Sequence, residues 1–328
     1  MSATLEAVLV KDEAGLTAVA ADWWTLWRRC PAATPFQSPA WVVSWWQAFH
    51  PGRLCAVALR HRDSLVALAP VYLEDGALGR RLLPIGIGIT DYLDVLLDPA
   101  VPEAGAALVQ AIHELLPDWT RWELEELMPD AAGLELPAPP STVEDEGEQS
   151  ACPVLDLTGD DPVPSGKRRK LRMAENRAAR RGGDVHAVGA EGVPDFLDNL
   201  VRLHGARWAT RGEDGVLADD PVRRFHAYAL PRLAEAGLTR LSTLTIEGQV
   251  VGAYYGLHHQ DRAYAYLGGF DPDFSFESPG TLLVGGAIEM ARAEGAREFH
   301  FLRGQEAYKY EWGATDRWNR RRSFRRHD

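Results

Sequence analysis

Apolar and polar residues alternate with the two-residue period of strands in three successive runs, Leu241–Ile246, Gln249–Leu257 and Ala263–Phe270. Glu247-Gly248 and His259-Gln260-Asp261-Arg262 supply the turns, so the three read as an antiparallel meander. The period then changes. Val284, Ala287, Ile288 and Ala291 recur at helical spacing, with Ser278 as N-cap, Pro279 at the first helical position and Gly295 as stop. Arg297–Leu302 returns to alternation, setting Glu298 and His300 against Phe299 and Phe301. Strand, helix, strand in that order implies a right-handed crossover and a parallel pair.

The rest of the chain follows the same logic. A strand at Ala3–Val10 leads to a helix rich in tryptophan, and Ser38-Pro39 opens another helix to Phe49. Trp41, Trp45 and Trp46 on that helix fit core packing or an aromatic-lined pocket. Strands are expected at 54–60, 65–73 and 121–127, and a helix at 102–116. A Gly-punctuated strand or loop, Pro84–Thr90, precedes Asp91-Tyr92-Leu93-Asp94. Residues 129–150 are rich in Pro and acids and read as an exposed, partly mobile loop. Lys167–Arg181 packs eight Lys or Arg into fifteen residues and reads as a basic helix, either solvated or in contact with phosphates. A short strand at 184–188, helices at 193–209 and 221–236 around a mobile turn, and an Arg-rich edge strand at 317–326 complete the pattern. Each half thus reads as helices, a meander, a crossover helix and a further strand, as in a duplicated unit.

The chemistry concentrates at the second crossover. Gly280 leaves the first helical turn without a side chain, and amide N–H groups there carry partial positive charge. Ser278, Gly280 and Thr281 therefore form a candidate phosphate or diphosphate site. Asp91 and Asp94, three apart beside glycines, fit an amine binder or base, or a turn cap.

Composition narrows the classes. A chain of 328 residues has room for two domains of about 150 residues each. A net charge of −12 argues against general binding to nucleic acid or anionic membrane, while leaving room for a local basic site. The three cysteines, Cys30, Cys55 and Cys152, have no zinc-ligand spacing and no complete disulfide pairing, so no metal is expected. The start of the sequence lacks the pattern of a signal peptide, and no apolar run is long enough for a membrane span. A cytoplasmic protein is the expectation.

In order along the chain, PFQSPAWVVSWWQAF, DYLDVLL, the basic helix, LHGARWATRGEDGVL, SPGTLLVGGAIEMARAEG and HFLRGQEAYKYEWG resemble the double-domain GNAT-type acyltransferases. These include the cellulose-biosynthesis-associated acetyltransferases, distant relatives of the Fem-type peptidoglycan aminoacyltransferases. The resemblance covers residues 20 to 325. It implies an α/β (α+β) fold of two tandem GNAT-like domains around a cleft, each a mixed, mostly antiparallel sheet flanked by helices. The expected domains are 1–158, degenerate, and 159–328, catalytic and including the basic helix 167–181. The implied activity is acyl transfer from acetyl-CoA or another acyl-CoA to an amine of a small or sugar-linked acceptor, without nucleic acid. Ser278-Pro279-Gly280-Thr281 replaces the Gly-rich turn of single-domain members. That departure keeps two alternatives open: an aminoacyl-tRNA donor, as in Fem-type relatives, or a silent duplicate that binds a nucleotide or a partner.

The resemblance also assigns roles. Tyr308 or Tyr310 would protonate the leaving thiolate. Lys309, matching a Lys of the Fem-type ending, would stabilise the oxyanion or a phosphate. Asp91 would be the base or amine binder, with Asp271 and Glu306 as alternates. Arg303 would hold a phosphate or pair with Glu306.

Overall fold

The structure, a computed structural model, describes residues 5–77 and 79–326. The chain divides into two compact units. Unit 1 runs to Ser150 and resumes at Trp318; unit 2 is Ala151–Arg317.

Unit 1 begins with β1 (Leu5–Val10), α1 (Glu13–Ala18) and α2 (Ala20–Arg29). Ala3 and Thr4, part of the expected first strand, lie outside the described residues. α3 (Pro39–Phe49) starts as its sequence dictates: the Ser38 hydroxyl accepts from Trp41 N at 3.3 Å and Pro39 takes the first turn. Trp41, Trp45 and Trp46 are 0%, 3% and 5% exposed, which makes them core rather than pocket lining. β2 (Arg53–Leu54), β3 (Ala56–His61), β4 (Ser64–Ala69), β5 (Val71–Gly76), β6 (Gly79–Pro84), β7 (Leu96–Leu97), α4 (Ala104–Leu115) and β8 (Arg121–Leu127) follow. The single strand expected at 65–73 is broken at Pro70, whose missing N–H ends the ladder. β4 stays in a four-stranded sheet ordered β1-β3-β4-β7, while β5 joins a second sheet beside β6.

In that second sheet β6 and β8 are parallel, but paired only at Arg81↔Arg121 and Leu82↔Trp122. The opening beyond is filled by the loop after β6. Ile85, Thr90, Tyr92 and Leu93 are all buried, Trp41 Nε1 donates to Thr90 Oγ1 at 2.9 Å, and Leu93 N donates to Glu126 O at 3.1 Å. About 10 Å³ of space remains there.

β9 (Thr142–Asp156) starts in unit 1 and ends in unit 2. Unit 2 continues with α5 (Ser165–Ala179), β10 (Asp184–Val188), α6 (Val193–Ala209), α7 (Asp220–Glu235), β11 (Thr239–Ile246), β12 (Gln249–His259), β13 (Arg262–Phe270), α8 (Pro279–Ala293), β14 (Glu298–His300) and α9 (Ala307–Glu311). Its strands are ordered β10-β11-β12-β13-β14-β9, antiparallel except for the parallel pair β13/β14 that α8 connects. Successive residues of β12 show the two covered faces. Tyr254 packs in the cluster with α5 and α8, whereas the ring of Tyr255 lies 5.7 Å from that of His226 on α7.

β15 (Thr315–Arg326) leaves unit 2 and returns to unit 1. It is not the edge strand expected. In unit 1 it lies between β8 and the first half of β9. That pairing also turns the second part of the expected loop at 129–150, from Thr142 on, into a strand. Glu144 accepts from Arg322 at 2.7 Å and Asp145 from Arg321 at 2.5 Å, and Glu146 pairs with Arg320. The acids that suggested an exposed loop are the charge partners of the arginines on the neighbouring strand. The unit boundary consequently falls before Ala151 rather than after residue 158, and the last strand sits with unit 1.

α6 approaches β13 at Gly269, where an added Cβ would lie 2.4 Å from His204 N and 2.6 Å from Leu203 C. Only a residue without a side chain permits that approach. Gly269→Ala should therefore destabilise unit 2 by about 1–3 kcal/mol through overpacking. Chemical denaturation measures it; an unchanged midpoint would show that α6 is not held there by contact.

Candidate active site

The parallel pair is short. β13 and β14 meet only at Arg262↔Glu298, Ala263↔Phe299 and Tyr264↔His300. After His300 the chain turns to β9, with Phe301 N donating to Pro153 O at 2.9 Å and Gly304 N to Ala151 O at 3.1 Å. β13 runs on to Phe270, so the sheet opens between them. β13 also carries a bulge: Tyr255 faces Leu267 and Gly256 faces Ala265, leaving Tyr266 as the extra residue. Such a bulge interrupts the ladder and re-aims backbone groups, and it sits here at the opening.

The start of α8 lies beside the end of β13. Ser278 adopts a left-handed conformation, φ 56°, after the 3₁₀ turn Pro272–Glu277. Its hydroxyl makes no cap; it reaches Ser275 O at 3.5 Å instead. The side-chain cap expected at Ser278 is thus replaced by a backbone turn. Thr281 N and Leu282 N both donate to Ser278 O, at 2.9 and 3.2 Å. Pro279 has no N–H, which leaves Gly280 N–H as the first-turn donor without an acceptor among the described residues. An added Cβ on Gly280 would lie 3.5 Å from the Phe270 ring.

Phe270 links this turn to α6. The Arg207 guanidinium sits over its ring, 5.1 Å from the centroid. Arg207 Nε is buried and has no hydrogen-bond acceptor among the described residues. Burial lowers the Arg207 pKa, while Tyr308 and Glu306 pull it up and Arg211 pulls it down. Arg211, in the turn just past α6, sets its guanidinium over the Trp208 ring, 5.1 Å from the centroid. On α9, Tyr308 packs edge-on to Phe301 with centroids 6.3 Å apart. Burial raises its phenol pKa and so does Glu306, against the pull of Arg207 and Arg211. One turn earlier on α6, His204 Nε2 accepts from Trp208 Nε1 at 2.9 Å. Burial, with help from Arg207, takes its pKa down to about 4, so this histidine is neutral at pH 7.

The other expected residues serve the fold. Lys309 is 3% exposed, and its Nζ donates to Leu302 O, Arg303 O and Gly304 O at 3.1, 2.7 and 3.0 Å. It also pairs with Glu306 at 2.9 Å. An ammonium has three protons, and three carbonyls take them, so none is left for an oxyanion or phosphate. This clamp holds a loop in which Leu302 and Gly304 have φ of 61° and 104°. Glu306 is occupied by Lys309 rather than serving as base. Asp271 accepts from Asp273 N at 3.0 Å and caps the 3₁₀ turn. Tyr310 donates to Asp316 Oδ1 at 2.7 Å. Arg303 is half-buried, its carbonyl bound to Lys309. Asp91 belongs to unit 1, is 9% exposed, and its carbonyl accepts from Asn319 Nδ2 at 3.0 Å. Asp94 is spent on the amides of Ala132 and Gly133, at 2.8 and 2.7 Å.

The structure therefore gathers Gly280 and Tyr308 from the expected set and adds Arg207 and Arg211. Their sequence signal was two arginines at helical spacing inside LHGARWATRG. Among the described residues, no cluster of His, Cys, Asp or Glu could hold a metal, and the three cysteines are buried thiols outside any disulfide.

Residues 165–310 fit the acetyltransferase (GNAT) domain. Solved structures show the fold of the whole chain. FemX is 11% identical, covering 97% of this chain and 96% of its own, with a TM-score of 0.66. A protein of unknown function from Bacteroides thetaiotaomicron is 13% identical over 97% and 100%, at 0.63. The C-terminal domain of a putative lysylphosphatidylglycerol synthetase from Agrobacterium fabrum is 14% identical over 97% and 93%, at 0.59. No curated protein matches the sequence. The fold class is the one expected, mixed α/β with helices flanking mixed, mostly antiparallel sheets.

Lys309→Ala should lower stability by about 1–3 kcal/mol, because it leaves three carbonyls without their donor. Thermal melting reads it. A variant that melts like the parent but turns over slowly would restore a catalytic role to Lys309.

Proposed function

We propose that unit 2 is an acyl-CoA-dependent N-acyltransferase, transferring an acetyl or other acyl group to an amine of a small or sugar-linked acceptor. The observation that carries this reading is Arg207: a buried guanidinium N–H without an acceptor, stacked on the ring that Gly280 also faces. A buried donor of that kind calls for an anion. The free amide of Gly280 and the positive end of α8 supply the remaining donors for a diphosphate.

In this reading the thioester lies in the opening between β13 and β14. The amine nitrogen attacks the acyl carbon, the C–S bond breaks, the sulfur takes a proton from Tyr308, and the proton the nitrogen sheds returns through water to the phenolate. That phenol is protonated through neutral pH, as an acid requires. Arg211 adds positive charge beside it. No carboxylate of unit 2 is assigned as base, since Asp271 and Glu306 are already engaged. Unit 1 is read as degenerate, because the loop after β6 fills its corresponding opening.

Acetyl-CoA should raise the melting temperature by selective binding to the folded state. Arg207→Ala should weaken that binding by about 10-fold or more, the loss of a charge-assisted hydrogen bond. Tyr308→Phe should leave binding intact and lower kcat by about 10–100-fold. A shift with aminoacyl-tRNA alone would replace the donor with the Fem-type one, and no shift with either would favour a silent domain.

A further inference from the structure

α5 carries a surface that the proposed chemistry does not use. Its inner face, Lys167, Leu171, Ala174 and Ala178, is buried. Its outer face exposes Arg169, Arg172, Met173 and, just past the helix end, Arg180. Met173 is 47% exposed and Phe276, on the adjoining 3₁₀ turn, 66%. The Arg177 guanidinium stacks on the Phe276 ring at 4.3 Å and donates to Phe276 O at 3.0 Å, which joins the two elements into one patch.

The charges on this patch are unbalanced. Most acids nearby are consumed at its margins, Glu277 and Glu247 by Arg181, Glu311 by Lys167 and Lys170, and Asp161 by Arg168, which leaves Asp273 on the turn of Phe276. Arg169, Arg172 and Arg180 have no acidic partner among the described residues. Glu175 is the only acid on α5, and helical spacing turns it away from Met173.

We propose that this patch docks on an anionic lipid bilayer, with α5 lying in the headgroup plane and Phe276 and Met173 inserted between headgroups. Arginines ringing exposed apolar side chains on one helical face complement such a surface in both charge and polarity. A nucleic-acid backbone would satisfy the arginines but leave Met173 facing phosphates. The face of Phe276 is already occupied by Arg177, so its exposed remainder is better suited to insertion than to base stacking.

The test is cosedimentation of the full chain with vesicles, at low salt. One set is phosphatidylcholine alone; the other contains a third phosphatidylglycerol. The chain should pellet with the second set only and be released by raised salt, as surface charge attraction is screened. Replacing Arg169, Arg172 and Arg180 together by Gln should weaken binding by about 100-fold, at about 5-fold per arginine. Phe276→Ser should weaken it while leaving every charge in place. All variants sit on the surface, and an unchanged melting temperature confirms that they fold. Failure to pellet with phosphatidylglycerol, indifference to Phe276→Ser, or binding to single-stranded RNA in place of vesicles would each overturn the proposal. None of these outcomes depends on acyl-CoA turnover.

Discussion

The site depends on the divergence of β13 from β14. Two parallel strands share three residue pairs and then part, while the chain beyond His300 keeps its bonds to β9, the partner on β14's other edge, and turns through Leu302 with φ 61°. That parting leaves one side of β13 without a ladder from Ala265 onward. Exposed backbone groups in a folded interior need acceptors and donors from elsewhere. In unit 2 the opening is flanked by α8's start, Arg207 and Tyr308. In unit 1 the same divergence, between β6 and β8, is closed by the protein's own loop, with Leu93 N bound to Glu126 O. One topology thus gives an open gap and a plugged one, and the difference lies in the connection that follows the strand.

Charge is distributed by the same economy of partners. Lys309 looks catalytic by position, yet three carbonyls and a carboxylate claim it. It fixes the loop between β14 and α9, and so places Tyr308. Arg207 looks unremarkable in sequence, yet it keeps a buried N–H unspent. A residue whose donors are all used holds structure; one with a donor left over is available to a ligand.

How much of this was legible beforehand follows from how local each signal is. The meander, the crossover helix and α5 through α7 were read within a few residues, because their apolar periods are set by their own sequence. Ser38 capped α3 as read, but Ser278 did not cap α8 although both precede proline. Both serines follow a 3₁₀ turn; the difference is the backbone, extended at Ser38 with φ −70° and left-handed at Ser278 with φ 56°. The split at Pro70 was legible in principle, since proline cannot donate in a ladder. The strand at 142–150 was not: its acids find their arginines more than 170 positions away in the chain, and no local period reports that. For the same reason the three carbonyls that engage Lys309 and the unspent N–H of Arg207 leave no trace in the sequence, since which groups already have partners is a property of the folded chain.

The central claim is that Gly280 N–H and Arg207 await a diphosphate. Selective ¹⁵N-glycine labelling reports on it most directly, by following the amide of Gly280 as coenzyme A is titrated. The account predicts that this resonance moves downfield on saturation, and that Arg207→Ala weakens the titration without changing its endpoint. Binding that saturates while Gly280 stays still would contradict it.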